Sequence, residues 1–184
     1  MRLKQQDRRN SFPRIGPRFR LRAYQASPHI AKTPAARNMP VMRDEVEALF
    51  AFHAGPRNLT EVMPPTLKLV KLVTDGPALE GRLIELHCRD WGFIPMRWLC
   101  RWKVVAPPNL LVDEIIEGPF RLFIHEHRFD AAEYGLTRMT DRVTYAWGRN
   151  GWGRIVSEIG VRGYLALLFA YRHYRTRRWA EARD

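Results

Sequence analysis

The spacing of apolar residues changes twice along the chain and divides it into three kinds of structure. Between about residues 44 and 63, apolar residues recur at helical spacing. From 67 to 146 they alternate with polar residues, which is the period of a strand with one buried face. From 152 to 179 the helical period returns. The pattern predicts short helices, then a series of strands, then one long helix.

Three helices are predicted from this spacing and from the breakers around it. The first starts at Asp44, which can cap its first turn, and ends at Gly55-Pro56. A second, short helix covers Asn58 to Met63 and is followed by two prolines. The C-terminal helix, Trp152 to Trp179, has an apolar band that is wider than a surface helix needs. We therefore expect other elements to cover much of this helix.

Six strands are predicted in the alternating part of the chain, separated by short turns that contain glycine, proline or asparagine. They cover residues 67–73, 81–90, 95–105, 110–117, 120–129 and 136–146. Because the connections are short, consecutive strands are expected to pair in antiparallel fashion. A further, first strand is predicted near residues 18–25, where apolar and basic residues alternate.

Together the elements predict an α+β domain over residues 43–180, and the sequence leaves open whether the first strand belongs to it. A curved antiparallel sheet of about six or seven strands wraps around the long C-terminal helix, with two short helices after strand one. The space between helix and sheet is either packed or hollow, and a hollow space would be a ligand cavity.

The positive charge of the chain is concentrated before this domain. Residues 1–44 contain nine Arg and two Lys against two Asp, which accounts for +9 of the formal net charge of +12. Residues 1–42 are therefore interpreted as a basic leader with a loop insertion. One hypothesis is that the leader contacts anionic membrane, RNA or the ribosome weakly. The alternative is a solvated extension.

Several classes of protein are disfavoured by what the sequence lacks. The longest apolar run near the C-terminus is far shorter than the ~20 residues of a membrane span, and no secretory signal is recognisable. Cys88 and Cys100 form no spaced framework, which favours buried thiols and a cytoplasmic location. No phosphate-binding glycine loop, nucleophile elbow or zinc-protease motif is present. The oligomeric state is left open.

Candidate ligand-binding residues follow from the apolar faces of the strands and the long helix. On the strand over 95–105, large apolar residues alternate with mostly basic ones. Their apolar face is predicted to turn toward the long helix, either as a cavity wall or as ordinary core. A polar end from Tyr145 or Tyr164 is also considered. The residues predicted to line the cavity are Trp98, Cys100, Trp102, Phe120, Leu122, Ile124, Tyr145, Ile159, Leu165 and Phe169.

His125 and His127 carry the candidate chemistry. On a regular strand they lie on the same face, with Cα atoms ~6.5–7 Å apart. They could form two corners of a metal site if a third ligand came from elsewhere, or one could transfer protons beside Asp113 or Asp141. The interpretation we favour is structural: two polar side chains that bond neighbouring strands. We therefore assign no catalytic residue and expect neither a metal nor a cofactor.

Four stretches carry a resemblance to a known superfamily. They are VEALFAFHAGPRNLTEVMPPTLKL (46–69), VDEIIEGPFRLFIHEHRF (112–129), LTRMTDRVTYAWG (136–148) and LALLFAYRHYRTRR (165–178). These resemble the SRPBCC superfamily, which has the START or helix-grip fold. Within it the chain is similar to bacterial proteins described as polyketide cyclase/dehydrase-like or coenzyme Q-binding-like. The resemblance implies a pocket for a hydrophobic ligand and does not imply a catalytic set.

The sequence therefore favours non-catalytic binding or carriage of a hydrophobic or aromatic small molecule, of the lipid, quinone or polyketide class. The first alternative is an enzyme of the cyclase/dehydratase kind that works without a metal and uses His125 or His127 with an acidic partner. The second is an interaction module that uses the basic leader on a membrane or ribosome. Since one scaffold can host each of these functions, the site has to distinguish them.

Overall fold

A computed structural model describes residues 37–38, 46–133, 136–147 and 153–183 of the 184-residue chain. The side chains of residues 37–38, 147 and 153–159 are outside this description. The predicted strand near 18–25, most of the basic leader and the Asp44 cap also lie outside the described residues.

The elements follow the order that the sequence predicts. They are β1 (Arg37–Asn38), α1 (Val46–Ala54), a 3-10 turn (Pro56–Asn58), α2 (Leu59–Val62), β2 (Leu67–Thr74), β3 (Leu83–Asp90), β4 (Ile94–Ala106), β5 (Leu110–Glu117), β6 (Phe120–Ala132), β7 (Leu136–Trp147) and α3 (Gly153–Glu181). The predicted second helix is thus divided between the 3-10 turn and α2. Within the described residues, the strand that precedes α1 is Arg37–Asn38.

All neighbouring strands pair in antiparallel fashion in one seven-stranded sheet, in the order β1-β7-β6-β5-β4-β3-β2. Register shifts interrupt the pairing of β2 with β3, β4 with β5 and β6 with β7. Such bulges bend strands and increase their twist, which curves the sheet. The curved sheet, the long C-terminal helix and the short helices confirm the predicted helix-grip fold class.

The end of α1 is fixed by the residues that follow it. Gly55 donates its backbone N–H to the Phe52 carbonyl, and the Asn58 side-chain amide donates to the same oxygen over 2.9 Å. These bonds satisfy a carbonyl that the helix itself leaves unpaired. Pro56 then begins the 3-10 turn, so the Gly-Pro break in the sequence turns the chain toward α2.

The core lies between the sheet and the helices. Leu111 on β5, Phe129 on β6 and Met139 on β7 are at most 1% exposed. Phe50 of α1 packs edge-on against Phe129, with ring centroids 6.0 Å apart. Phe52 contacts Trp179 near the end of α3, with centroids 4.1 Å apart. The short helix α1 therefore joins the sheet to the C-terminal end of α3.

The outward side chains of β4 are basic, and acidic side chains on the neighbouring strands pair with them. Arg97 contacts Glu85 on β3 at 2.5 Å and Glu117 on β5 at 2.9 Å. Arg101 and Lys103 both contact Glu114 on β5. Because the basic side chains are about half exposed, water screens these pairs and each contributes little to stability. Their charges are balanced locally, which fits a solvated sheet face.

No helix among the described residues has the length and apolar character needed to cross a membrane.

The packed part of the core can be tested with two leucines. Leu111→Ala removes a side chain that is 0% exposed, and we expect the free energy of unfolding to fall by about 2–5 kcal/mol. Leu79→Ala is the matched control, since Leu79 is 56% exposed and should change that energy by about 0.5 kcal/mol or less. Urea denaturation measures both. Equal losses in the two variants would contradict the location of the core.

Candidate functional site

A cavity of about 130 Å³ lies between the sheet and α3, with the α1–α2 region at one side. Its lining is mostly apolar and comes from strands β2 to β6 and all three helices. An apolar cavity of ~150 Å³ in another protein is large enough to bind benzene. The present cavity therefore holds about one small ring. A longer lipid, an isoprenoid quinone or a polyketide would exceed this volume.

The structure places most of the predicted cavity residues in its wall. Trp98, Cys100 and Trp102 line it from β4. Their alternation with outward-facing basic residues is the pattern that the sequence shows. Leu165 and Phe169 line it from α3. The Ile159 side chain lies outside the described residues.

Strand β6 requires a correction. Phe120 lines the cavity, but Leu122 and Ile124 do not; Phe123 takes the place predicted for them. The pairing of β6 with β7 shifts register between Phe120 and Leu122. Regular alternation would keep Phe120 on the face of Leu122 and Ile124, whereas the bulge moves it to the face of Phe123. The rings of Phe120 and Phe123 accordingly lie 4.9 Å apart.

The two tyrosines take different positions. Tyr145 is 2% exposed and packs against Phe120, with ring centroids 6.2 Å apart, outside the set of residues that line the cavity. Tyr164 on α3 does line it. Burial, and then the Asp90 carboxylate, raises the pKa of Tyr164 to about 12. Of the two tyrosines, Tyr164 therefore supplies the polar group, and its phenol stays protonated at neutral pH.

Two indole N–H groups of cavity-lining residues have no hydrogen-bond partner among the described residues. The Nε1 atoms of Trp98 and Trp102 are both buried and unbonded. An unsatisfied buried donor costs about 1–3 kcal/mol. A bound acceptor atom that reached either N–H would remove that cost.

Behind the adjoining part of the wall, a buried carboxylate is surrounded by three imidazoles. The Asp141 Oδ1 atom accepts a hydrogen bond from His125 Nε2 at 3.1 Å, and Oδ2 accepts one from His173 Nε2 at 2.5 Å. His127 Nδ1 lies 2.7 Å from the same Oδ1, but the angle between the two groups does not allow a good hydrogen bond. The four side chains are at most 8% exposed. This cluster joins β6, β7 and α3.

Asp113 faces the same two histidines from the other side. Its Oδ1 atom is 3.4 Å from His125 Nδ1 and 3.6 Å from His127 Nε2. The sheet register explains the arrangement: Asp113 on β5 is directly opposite His125 on β6, and His127 is directly opposite Asp141 on β7. Asp113, His125 and His127 all line the cavity. The carboxylate of Asp141 lies behind the imidazoles.

Burial and the opposite charges act against each other in this cluster. Burial disfavours the charged form of His125, but the carboxylates of Asp141 and Asp113 outweigh it and raise its pKa. Burial also disfavours both carboxylates, yet the adjacent imidazoles hold the pKa of Asp113 and of Asp141 well below the usual range. For His53, burial and then His127 lower the pKa well below 6.5. The carboxylates therefore favour the charged form of His125, whereas burial favours the neutral form of the nearby His53.

Sequence reasoning did not include three members of the site, namely His53, Phe123 and His173. His53 of α1 lines the cavity, with its ring 5.2 Å from that of His127. Phe123, His125 and His127 are spaced two residues apart on one strand, so the sequence could have predicted that Phe123 shares their face. His173 follows Phe169 by one helical turn, so a polar residue interrupted the buried stripe of α3. That interruption was the signal for His173.

Comparisons with known proteins support the fold and no more. No family model matches the sequence, and no curated protein matches it. A crystal structure from Rhodobacter sphaeroides is similar over 84% of this chain and 98% of its own, with a TM-score of 0.62 and 15% identity. Protein CV1439 from Chromobacterium violaceum is similar over 80% and 98%, with a TM-score of 0.60 and 10% identity.

The crystal structure of Ara h 8.0201, which has a Bet v 1-like fold of START type, is also similar. The match covers 76% of this chain and 94% of that one, with a TM-score of 0.50 and 15% identity. At sequence identities this low, the structural similarity shows a shared fold but does not show a shared function. The chain therefore has a helix-grip fold with a cavity beneath its C-terminal helix.

The importance of the buried carboxylate can be measured. Asp141→Asn removes the charge that three imidazoles face, and breaking a buried ion pair in this way costs about 3–5 kcal/mol. We expect the free energy of unfolding, measured by urea denaturation, to fall by that amount. Asp130→Asn, at an exposed position of β6, is the control and should have an effect of about 0.5 kcal/mol or less. An Asp141→Asn variant as stable as the unmodified protein would contradict this role.

Proposed function

We propose that the protein binds a small, flat, largely apolar molecule non-covalently in the cavity beneath α3, and that this molecule carries at least one hydrogen-bond acceptor. The observation that carries the proposal is an aromatic wall in which the Nε1–H groups of Trp98 and Trp102 are buried and find no partner among the residues that the structure describes. The resemblance to polyketide cyclase/dehydrase-like and coenzyme Q-binding-like proteins supports the same class of ligand.

The driving force would come mainly from desolvation. Removing apolar surface from water contributes roughly 25 cal/mol per Å², and Trp98, Trp102, Phe120, Phe123 and Phe169 offer such a surface. The indole donors add selectivity, because a ligand without an acceptor leaves them unsatisfied. The cavity volume also selects ligands by size, since about 130 Å³ accommodates one small ring.

Acetophenone and ethylbenzene test the proposal, because they have nearly the same shape and only acetophenone has a carbonyl acceptor. We expect both to bind to the unmodified protein in calorimetric titration, with acetophenone preferred by about 2- to 12-fold, the range of one net hydrogen bond. Trp102→Phe removes one donor and should reduce this preference.

Trp91→Phe is the matched control, since Trp91 is 62% exposed in the β3–β4 turn and should leave the preference unchanged. Absence of saturable binding of either probe, or an equal preference in the two variants, would contradict the proposal.

A proton-transfer enzyme of the cyclase/dehydratase kind is the second candidate. It is favoured by His125 and His127, which reach the cavity wall while Asp141 orients them from behind. A histidine that a carboxylate orients is a common general acid or base. Asp113, also in the wall, would be the second acidic partner.

Exchange of the acetophenone methyl protons in D₂O, followed by NMR, tests this second candidate. Base-assisted enolisation should make the exchange faster with protein than in buffer. His127→Gln should slow the protein-catalysed exchange about 10²–10⁴-fold while the affinity for acetophenone is largely kept. Exchange no faster than in buffer would contradict the enzyme candidate and leave the binding proposal unaffected.

A further inference from the structure

Asp113, His125 and His127 bring three potential metal-ligand atoms together at the cavity wall. One such atom from each residue lies within 4.8 Å of the other two. His125 and His127 are 2% and 3% exposed, and their rings lie 3.8 Å apart. Two imidazoles and one carboxylate are a ligand set that transition metals of intermediate softness accept.

The distances fit metal coordination better than direct hydrogen bonding. The Asp113 Oδ1 atom is 3.4 Å from His125 Nδ1 and 3.6 Å from His127 Nε2, longer than the 2.7–3.2 Å of ordinary N–H···O bonds. In a tetrahedral zinc site with bonds of about 2.0–2.2 Å, neighbouring ligand atoms are about 3.3–3.5 Å apart. Both separations are close to that value.

Asp141 supplies the support that ligating histidines require. The nitrogens that face Asp113 are Nδ1 of His125 and Nε2 of His127, while the opposite nitrogens face Asp141 Oδ1 at 3.1 and 2.7 Å. Ligating histidines commonly donate their far N–H to a carboxylate, which fixes the tautomer and the ring orientation. When the proton of His125 is on Nε2 and is donated to Asp141, its Nδ1 atom presents a lone pair to Asp113, and His127 turns its Nε2 atom to the same oxygen.

That arrangement places two ring nitrogens and a carboxylate oxygen around one point. When both imidazoles are neutral and present lone pairs there, the three acceptors repel one another unless a proton or a cation lies between them. A cation at the centre would change the repulsion into attraction. His173 strengthens the support, because it donates to the other oxygen of Asp141.

We propose that Asp113, His125 and His127 form a binding site for one divalent transition-metal ion, with Zn²⁺ the best match to the ligand set and spacing. The three ligands come from the cavity wall, so the remaining coordination position faces the cavity. It would take water or an oxygen donor such as a phenolate, carboxylate or carbonyl. The site goes beyond the proposed binding function and departs from the expectation of no metal, because sequence reasoning had no third ligand in place.

Zn²⁺ titration of the full chain after treatment with EDTA tests the site. We expect one equivalent to bind saturably, as measured by calorimetry and native mass spectrometry. Asp113→Asn keeps the shape of the side chain and removes a ligand charge, and should weaken the affinity at least 10-fold. His127→Gln should weaken it further, since Gln is a poor zinc ligand.

His87→Gln is the matched control. His87 is a half-exposed histidine on β3 that pairs with Glu85, away from the cavity lining, and its loss should leave the affinity within 2-fold. Circular dichroism of each metal-free variant establishes that it is folded before its affinity is compared.

A measurement on the unmodified protein does not depend on the folding of any variant. The ¹⁵N NMR signals of His125 Nδ1 and His127 Nε2 should shift on addition of Zn²⁺, while the opposite nitrogens keep their protons. Absence of saturable binding, unchanged affinity in Asp113→Asn, or shifts confined to other histidines would each overturn the proposal. Binding of acetophenone is a separate measurement, so the two proposals can fail independently.

Discussion

The architecture of the site depends on one buried charge, the carboxylate of Asp141. An ionised carboxylate in the core is costly unless hydrogen bonds and opposite charge compensate for it. Here the compensation comes from His125 and His127 on the adjacent strand and from His173 on α3. Because one of these partners is on the helix, the interaction couples the position of α3 to the register of the sheet. Helix α3 crosses the sheet at the position where His173 can donate a hydrogen bond to Asp141.

A cavity is a consequence of the same arrangement. The polar cluster and α1 hold one part of α3 against the sheet, while large, rigid aromatic side chains on β4 and β6 surround the rest of the space without filling it. The wall then has an apolar and a polar part that adjoin each other, because Trp102 on β4 is directly opposite Asp113 on β5. The apolar part includes the two tryptophans, and the polar part includes His125, His127 and Asp113.

The comparison of sequence with structure shows where local pattern is sufficient. Strand alternation correctly predicted that Trp98, Cys100 and Trp102 share a face, since side-chain direction on a regular strand is a local property. Strand alternation gave the wrong face for Leu122 and Ile124, because the bulge between Phe120 and Leu122 moves Phe120 to the opposite face from them. Register was also beyond local reasoning. A two-residue loop at Gly118-Pro119 would place Asp113 opposite Ile124, whereas the observed register places it opposite His125.

The sequence by itself determined the order of elements, their approximate ends and the common face of His125 and His127. These features follow from periodicity and from breakers within a few residues. Only the tertiary structure decided that Asp113, Asp141 and His173, which lie on three different elements, converge on those histidines. Periodicity specifies which side of an element is buried, but the packing of helix on sheet decides what meets there. That packing turned an interpretation of two structural histidines into a candidate binding centre.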